Sequence, residues 1–146
     1  LSIRRQRQMC IRDSTNVLSL DALRALGRSG EPLQALAKEV NRCVQLATDG
    51  RLQTAGAVAQ TAVVAATKWL QTNLADPNAL EAGARRFALT LGRSLALARL
   101  VEQAQWSLDV EGDPRPRAAA CRFGQTAVNQ IQAIDPTDTA LLAEGL

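Results

Sequence analysis

The longest uninterrupted pattern in the chain spans residues 78–108, where apolar side chains recur every three or four positions and no proline occurs. An α-helix has about 3.6 residues per turn, so this spacing places the apolar side chains on one side of a helix. That side carries Leu80, Ala84, Phe87, Leu91, Ser94 or Leu95, Ala98, Val101 and Gln105. The apolar sector is widened by Leu89, Leu97, Leu100 and Trp106. A helix that is apolar around so much of its circumference must be covered by several partners, which predicts the central member of an antiparallel bundle.

The other segments also repeat their apolar residues at helical spacing, and none shows the sustained alternation of a strand. We therefore predict an all-α fold, an antiparallel bundle of about four to five helices. The other predicted helices run from Val17 to Arg28, from Pro32 to a turn at Asp49–Gly50, from Leu52 to Leu74 and from Pro116 to Ile131, with a terminal turn from Asp135 to Leu142. A loop is predicted over residues 109–117, because a glycine and two prolines interrupt the helical pattern there.

Local signals predict where helices begin and where they approach each other. Asp76 followed by Pro77 is typical of a helix start, since aspartate caps the first amides and proline suits the first turn. The third predicted helix is rich in alanine, which favours helix and permits close packing, and Trp69 is expected to fill the space at one end. Gly83 and Gly92 predict two further close crossings between helices.

Composition excludes several classes of function. The chain contains no histidine and no tyrosine, which removes the commonest general base and any Ser–His or Cys–His nucleophile pair. Cys43 and Cys121 lie inside helical patterns without metal-ligand spacing, so we expect two reduced, buried thiols and no metal site. Neither an apolar run long enough to cross a membrane nor a signal peptide is visible, which predicts a cytoplasmic protein without a membrane partner.

The first fourteen residues differ in character from the rest of the chain. The passage from Met9 to Ser14 resembles the translation of a sequencing-library adaptor, so we interpret 1–14 as a non-native segment and 15–146 as the domain. A genuine arginine-rich N-terminal arm is the alternative. Of 17 basic and 14 acidic residues, four and one fall in residues 1–14, so 13 of each lie outside that segment. Balanced charge does not favour nucleic acid as a partner.

The passage from Ser14 to Leu26 joins a polar turn to an apolar helical stripe. It resembles the acyl-CoA dehydrogenase family, whose C-terminal helical domain carries a Glu-Gly-Thr-Thr-Asn-Val-Leu-Ser-Leu-Asp-like passage. The stretch from Ala84 to Trp106 resembles the extended C-terminal region of the alkylation-response-type branch of that family. The other segments match as helices only. The resemblance implies that the chain is a C-terminal helical fragment of a larger oxidoreductase.

The resemblance also implies a cofactor, FAD, an acyl-CoA thioester as substrate and a separate electron acceptor. In the family, a glutamate removes the α-proton of the thioester while the β-hydrogen passes to the flavin as hydride. An alignment without gaps puts that glutamate at Arg12, and an arginine stays protonated and cannot act as a base. No catalytic residue is therefore assigned. The resemblance implies that Asn16, Thr15 and Ser14 contact the cofactor, and helix capping is the alternative role for these side chains.

The sequence leaves more than one function open. Our main hypothesis is a helical fragment of an FAD-dependent acyl-CoA dehydrogenase-like protein, inactive alone, with homo-oligomers formed through the helical domains as the family implies. A second hypothesis is a DNA-associated domain of the alkylation-response type, which the balanced charge outside residues 1–14 weakens. A third is an autonomous helical interaction module.

Overall fold

In the computed structural model of the chain, residues 15–27, 30–131 and 141 are described, and they contain five α-helices and no strand. The helices are α1 (Thr15–Gly27), α2 (Glu31–Gln45), α3 (Gly50–Asn73), α4 (Pro77–Val110) and α5 (Arg115–Gly124). The prediction of an all-α helical bundle is confirmed. The expected terminal turn from Asp135 to Leu142 lies outside the described residues, apart from Leu141.

Helix α4 is the centre of the bundle. It has 34 residues, which corresponds to a length of about 50 Å, and it packs against each of the other four helices. One group of buried side chains surrounds its first half and consists of Leu23, Leu33, Ala66, Leu70, Ala84, Phe87 and Leu91. A second group surrounds its second half and includes Val40, Cys43, Leu52, Ala59, Leu97, Ala98, Val101 and Val128. The predicted central position of this helix is therefore confirmed.

Helix α3 supplies small side chains where it packs against α4. Ala59, Ala62 and Ala66 are at most 1% exposed, and side chains of this size let two helix axes approach closely. Trp69 fills the space near one end, as predicted, because its ring lies 5.4 Å from the ring of Phe87. Gly83 faces the same tryptophan, and a Cβ atom built there would be only 2.1 Å from Trp69 Cζ2. This glycine therefore marks the predicted close crossing.

Gly92 does not mark a close crossing, so the second glycine prediction is wrong. No atom lies within 4 Å of a Cβ atom built at Gly92, and the residue is exposed on the surface of α4. The helical spacing between Gly83 and Gly92 places them on different sides of α4, since nine residues correspond to two and a half turns. Only the side that carries Gly83 meets α3.

Helix α2 is shorter at its C-terminal end than predicted. Helix α2 ends at Gln45, and Asp49 caps α3 rather than closing α2. The Asp49 carboxylate accepts hydrogen bonds from the backbone amides of Arg51 and Leu52 at 2.9 and 3.1 Å. A buried glutamine of α4, Gln105, accepts from the backbone amides of residues 48 and 49 at 2.9 and 3.0 Å. Its amide therefore holds the turn against α4.

The loop between α4 and α5 is also shorter than the predicted 109–117. Helix α4 continues to Val110, and the connection takes up residues 111–114. Gly112 has a φ of +65°, a left-handed conformation that glycine adopts without a steric penalty. The buried Ser107 hydroxyl donates to Glu111 at 2.7 Å, and the Asp113 amide donates to the Ser107 carbonyl at 3.2 Å. These bonds fold the loop back onto the end of α4.

Helix α5 ends at Gly124, seven residues before the predicted end at Ile131. The chain then runs over α4 without helical structure, and Val128 is 1% exposed in the core. The Gln130 amide donates to the Thr90 hydroxyl of α4 at 2.9 Å. A helix would have used that amide internally, so this long-range bond and the burial of Val128 replace the last turns of the predicted helix.

Candidate functional site

The residues expected to contact a cofactor lie at the N-terminal end of α1. Thr15 and Asn16 are the first two residues of this helix. Arg12 and Ser14 lie outside the described residues. The assignments of Thr15, Asn16 and Ser14 to cofactor binding stay predictions.

Helix α1 is an integral part of the bundle. It packs against α2 and α4, and its most buried apolar side chain, Leu23, is 9% exposed. Leu20 and Leu26 are partly buried against the same group of core residues. Helix α1, which carries the passage from Thr15 to Leu26, is therefore held against α4 by its apolar side.

A cavity of about 300 Å³ lies between α1 and the N-terminal third of α4. Leu20 of α1 forms one wall, and α4 contributes Glu81, Ala82, Ala84, Arg85 and Arg86. The two arginines are consecutive in sequence, and both line the cavity. Neither arginine was predicted to be a site residue, although the adjacent pair and the phenylalanine that follows it are visible in the sequence.

The described residues do not enclose a whole flavin dinucleotide. A second cavity, of about 400 Å³, lies beside Glu102, Gln103 and Trp106 at the other end of α4. Each of the two cavities is smaller than a dinucleotide. The cavity at α1 is lined by arginines and has no aromatic side chain among its lining residues on which a flavin ring could stack. The two arginines of the first cavity are donors that suit a phosphate group.

Four charged side chains of α2 and α4 form a closed network, which we call the charged quartet: Glu39, Arg42, Arg99 and Glu102. Arg42 lies 2.9 Å from Glu39 and 2.8 Å from Glu102. Arg99 lies 2.7 Å from Glu39 and 2.8 Å from Glu102. Two positive and two negative charges therefore neutralise each other at the interface of the two helices.

The quartet changes the acidity of its own members. The hydrogen bond from Arg42 lowers the pKa of Glu39 to about 2, and the same arginine lowers the pKa of Glu102. The hydrogen bond to Glu39 in turn raises the pKa of Arg42. All four groups are therefore charged at neutral pH, and neither carboxylate is available as a general base.

The thiol of Cys43 lies beneath the quartet. Its side chain is fully buried, and its Sγ lies 3.3 Å from Glu102 Oε2 and 3.3 Å from Arg42 Nη2. Burial raises the pKa of this thiol to about 11. Cys43 is therefore a protonated, buried thiol, as predicted. Cys121 is also a free cysteine, but it is only partly buried, so the expectation of burial is wrong for this residue. It lies on the short helix α5, one side of which faces solvent.

We expect Cys43 to react with a thiol-specific reagent at least about 100-fold more slowly than Cys121 near neutral pH. A rise in the pKa of Cys43 from 9.0 to about 11 reduces the fraction of thiolate, the reactive form, by roughly 100-fold, and burial slows access further. The measurement is the rate at which the folded protein is labelled in a Cys10→Ser background. Adding Cys43→Ser or Cys121→Ser leaves one thiol at a time, so that each rate can be assigned to one cysteine. Equal rates for the two thiols in the folded protein would contradict the burial and the charge network described above.

Two arginines at the start of α5 are already paired with acids. Arg115 lies 2.8 Å from Asp113, and Arg117 lies 3.1 Å from Asp49, the capping residue of α3. Their charges are therefore largely cancelled within the domain. This pairing further weakens the hypothesis of a DNA-binding surface at α5, because such a surface needs cations that are free to meet phosphates.

Among residues 15–27, 30–131 and 141, no group of three or more Cys, Asp or Glu side chains is arranged to hold a metal ion. In the same residues, no helix combines the length and the apolar character needed to cross a membrane.

Comparison with known protein families gives one match. The model of a family described as acyl-CoA dehydrogenase 11 C-terminal domain-like matches residues 31–139. The matched region extends from the first residue of α2 to beyond α5, so it covers most of the bundle. The passage at α1 that carries the resemblance in the sequence precedes the matched region. Comparisons with curated proteins and with solved structures give no match.

Proposed function

Because this chain belongs to the acyl-CoA dehydrogenase 11 C-terminal domain-like family, we propose that it serves as the helical domain of an FAD-dependent, acyl-CoA dehydrogenase-like oxidoreductase. The reaction we propose for the whole protein is α,β-dehydrogenation of an acyl-CoA thioester, with transfer of the electrons to a separate acceptor. The family match over residues 31–139 is the observation that carries the proposal.

The position of α1 adds support to the proposal. The passage from Thr15 to Leu26 forms a helix that packs on α2 and α4, the elements inside the matched region. A helix that follows a reactive turn must be rigidly supported, because catalysis loses rate when the reacting groups are misplaced by about 1 Å. In our proposal, the bundle provides this support, and Asn16 and Thr15 approach the flavin.

The bundle does not carry the proposed chemistry alone. The flavin, when bound, accepts the hydride, while a carboxylate must remove the α-proton of the thioester. Arg12 occupies the position that the resemblance gives to that carboxylate, and its guanidinium cannot accept a proton. The Glu39 and Glu102 carboxylates are held by arginines in the quartet. We therefore propose that another part of the protein supplies the base and that the 146-residue chain is inactive by itself.

The test begins with the genomic sequence around the gene. We expect an aromatic-Glu-Gly-Thr passage directly before Thr15, and the product of the complete reading frame should show flavin absorbance that is bleached by an acyl-CoA under anaerobic conditions. The 146-residue chain serves as the matched control and should show no dehydrogenation of the same thioesters. A native start codon before an arginine-rich arm, together with a colourless protein, would overturn the proposal.

The partners of the proposed enzyme follow from its chemistry and belong to the proposal. They are an acyl-CoA thioester, an electron acceptor and a second copy of the protein that meets the first through the helical domain. A location in the cytoplasm is part of the same proposal. Light scattering of the complete protein would show a mass above that of one chain if the helical domains associate.

A further inference from the structure

The arginines in the cavity between α1 and α4 are the unusual feature of that surface. Five of the ten arginines whose side chains the structure describes lie within about 3 Å of a carboxylate: Arg24, Arg42, Arg99, Arg115 and Arg117. Arg85 and Arg86 belong to the other five, since neither has an acidic partner within 4.0 Å among the described residues. They differ from the rest of those five because they are adjacent in sequence and line the same cavity, which Glu81 also lines. Their side chains therefore keep their hydrogen-bond donors available.

The surroundings of these two arginines favour an anion. The walls formed by Leu20, Ala82 and Ala84 are apolar, and Ala84 is only 1% exposed. Arg86 is itself half-buried. Arg85 is exposed. Charges interact more strongly beside an apolar wall than in open water, so the half-buried Arg86 and its neighbour together attract an anion to this cavity. The planar guanidinium offers paired donors that match the oxygens of a phosphate.

We propose that this cavity binds the phosphate or pyrophosphate group of a nucleotide-type ligand through Arg85 and Arg86. Glu81 at the cavity wall leaves a net charge of one positive unit, so the site suits a small anion rather than a long polyanion. A nucleic acid needs a row of cations that contact successive phosphates. The volume of about 300 Å³ leaves room for a ligand group of this size.

This inference rests on the proposed function in one respect, the source of the ligand. FAD and coenzyme A both contain a pyrophosphate, so either molecule could supply the group. Leu20, at the cavity wall, lies five residues after Thr15 on α1, which is about 7 Å along the helix axis. The cavity is therefore close to the residues that the resemblance assigns to the flavin, and a phosphate bound there would lie beside them.

Isothermal titration of the 146-residue chain at low salt tests the proposal, with inorganic pyrophosphate, ADP, FAD and coenzyme A as separate ligands. We expect the double variant Arg85→Gln/Arg86→Gln to bind pyrophosphate at least about 10-fold more weakly, since it removes two charged donors and hydrogen bonds to charged groups are stronger than neutral ones. The matched control is Arg51→Gln/Arg122→Gln, which removes the same charge at exposed arginines away from the cavity and should change the affinity less than about 2-fold. Glu81→Gln should raise the affinity.

The source of the phosphate is decided by the same titrations. Tighter binding of FAD than of coenzyme A would assign the pyrophosphate of the flavin to the cavity. Tighter binding of coenzyme A would assign the pyrophosphate of coenzyme A to it. Both results support the site. The absence of binding to pyrophosphate and ADP, or an equal loss in the two double variants, would overturn it. Tighter, steeply salt-dependent binding of duplex DNA through the same arginines would also overturn the assignment to a small ligand.

The outcome for the cavity is separable from the outcome for the proposed function. If the complete protein contains flavin and oxidises acyl-CoA while the Arg85→Gln/Arg86→Gln variant binds every ligand normally, the proposed function stands and the cavity assignment fails. If pyrophosphate binding depends on the two arginines but the complete protein is colourless, the cavity stands and the flavoenzyme proposal fails. Far-ultraviolet circular dichroism of each variant confirms that the bundle is folded.

Discussion

Replacement of Phe87 by alanine is expected to lower the free energy of unfolding by about 3–5 kcal/mol, the usual cost of emptying a buried aromatic position. Phe87 is fully buried on α4, where its ring packs against Trp69 at a centroid distance of 5.4 Å. The side chain also belongs to the group of core residues that holds α1 in place. Its loss should therefore loosen α1 before the far half of the bundle.

Leu89 is the matched control for this prediction. It lies two residues further along α4 and is 37% exposed, so Leu89→Ala should cost less than about 1 kcal/mol. Urea denaturation of the whole chain, followed by circular dichroism, gives both values. An equal loss of unfolding free energy in Leu89→Ala and Phe87→Ala would contradict the burial of Phe87 and the exposure of Leu89 on α4.

Addition of one methyl group at Gly83 should destabilise the bundle, while the same change at Gly92 should stabilise it. The new Cβ atom of Gly83→Ala would lie 2.1 Å from Trp69 Cζ2 and 2.8 Å from Cη2, and Phe87 packs against this ring. Overpacking of this kind costs about 1–3 kcal/mol. Alanine at Gly92 meets no atom within 4 Å, so that variant gains only the higher helix propensity, about 0.5–1 kcal/mol.

Because the two glycine variants are expected to change the stability in opposite directions, the pair is a stringent test of the contact. Thermal unfolding of both variants gives the change in stability, and the fluorescence of Trp69 in a Trp106→Phe background reports whether its ring moves. We expect a changed emission for Gly83→Ala and an unchanged one for Gly92→Ala. Equal stabilities and unchanged emission in both variants would contradict the contact between Gly83 and Trp69.

The number and order of the helices could be predicted because the sequence signals that specify each helix are local. Apolar side chains at helical spacing define α1 to α4, and Asp76 followed by Pro77 gives the start of α4, where the Asp76 carboxylate accepts from the amides of Asn78 and Ala79 at 3.0 and 3.1 Å. These signals lie within a few residues of the structure that they specify. The central position of α4 followed from the width of its apolar sector.

The errors occurred where a contact between distant residues decides the structure. The end of α5 depends on a bond from Gln130 to Thr90 and on the burial of Val128 beside α4. The different outcomes at Gly83 and Gly92 depend on which side of α4 meets Trp69. Both facts require the arrangement of the helices in space, and a local pattern does not contain it.

The same limit explains what the sequence revealed about the candidate sites. The spacing of Glu39 to Arg42 and of Arg99 to Glu102 is visible as two pairs three residues apart, which are favourable on one helix. Their union into the charged quartet requires α2 and α4 to lie side by side. Likewise, Arg85 and Arg86 stand next to each other in the sequence, but the wall that Leu20 contributes comes from α1.

The packing of every helix against α4 has a consequence for synthesis on the ribosome. Helices α1, α2 and α3 leave the exit tunnel before α4 exists, so the apolar sides that they turn toward α4 are open to solvent at that stage. We expect the nascent chain to gain protection from proteases abruptly, once residue 110 has emerged, rather than in steps. Until then, its exposed apolar side chains make the nascent chain a substrate for chaperones.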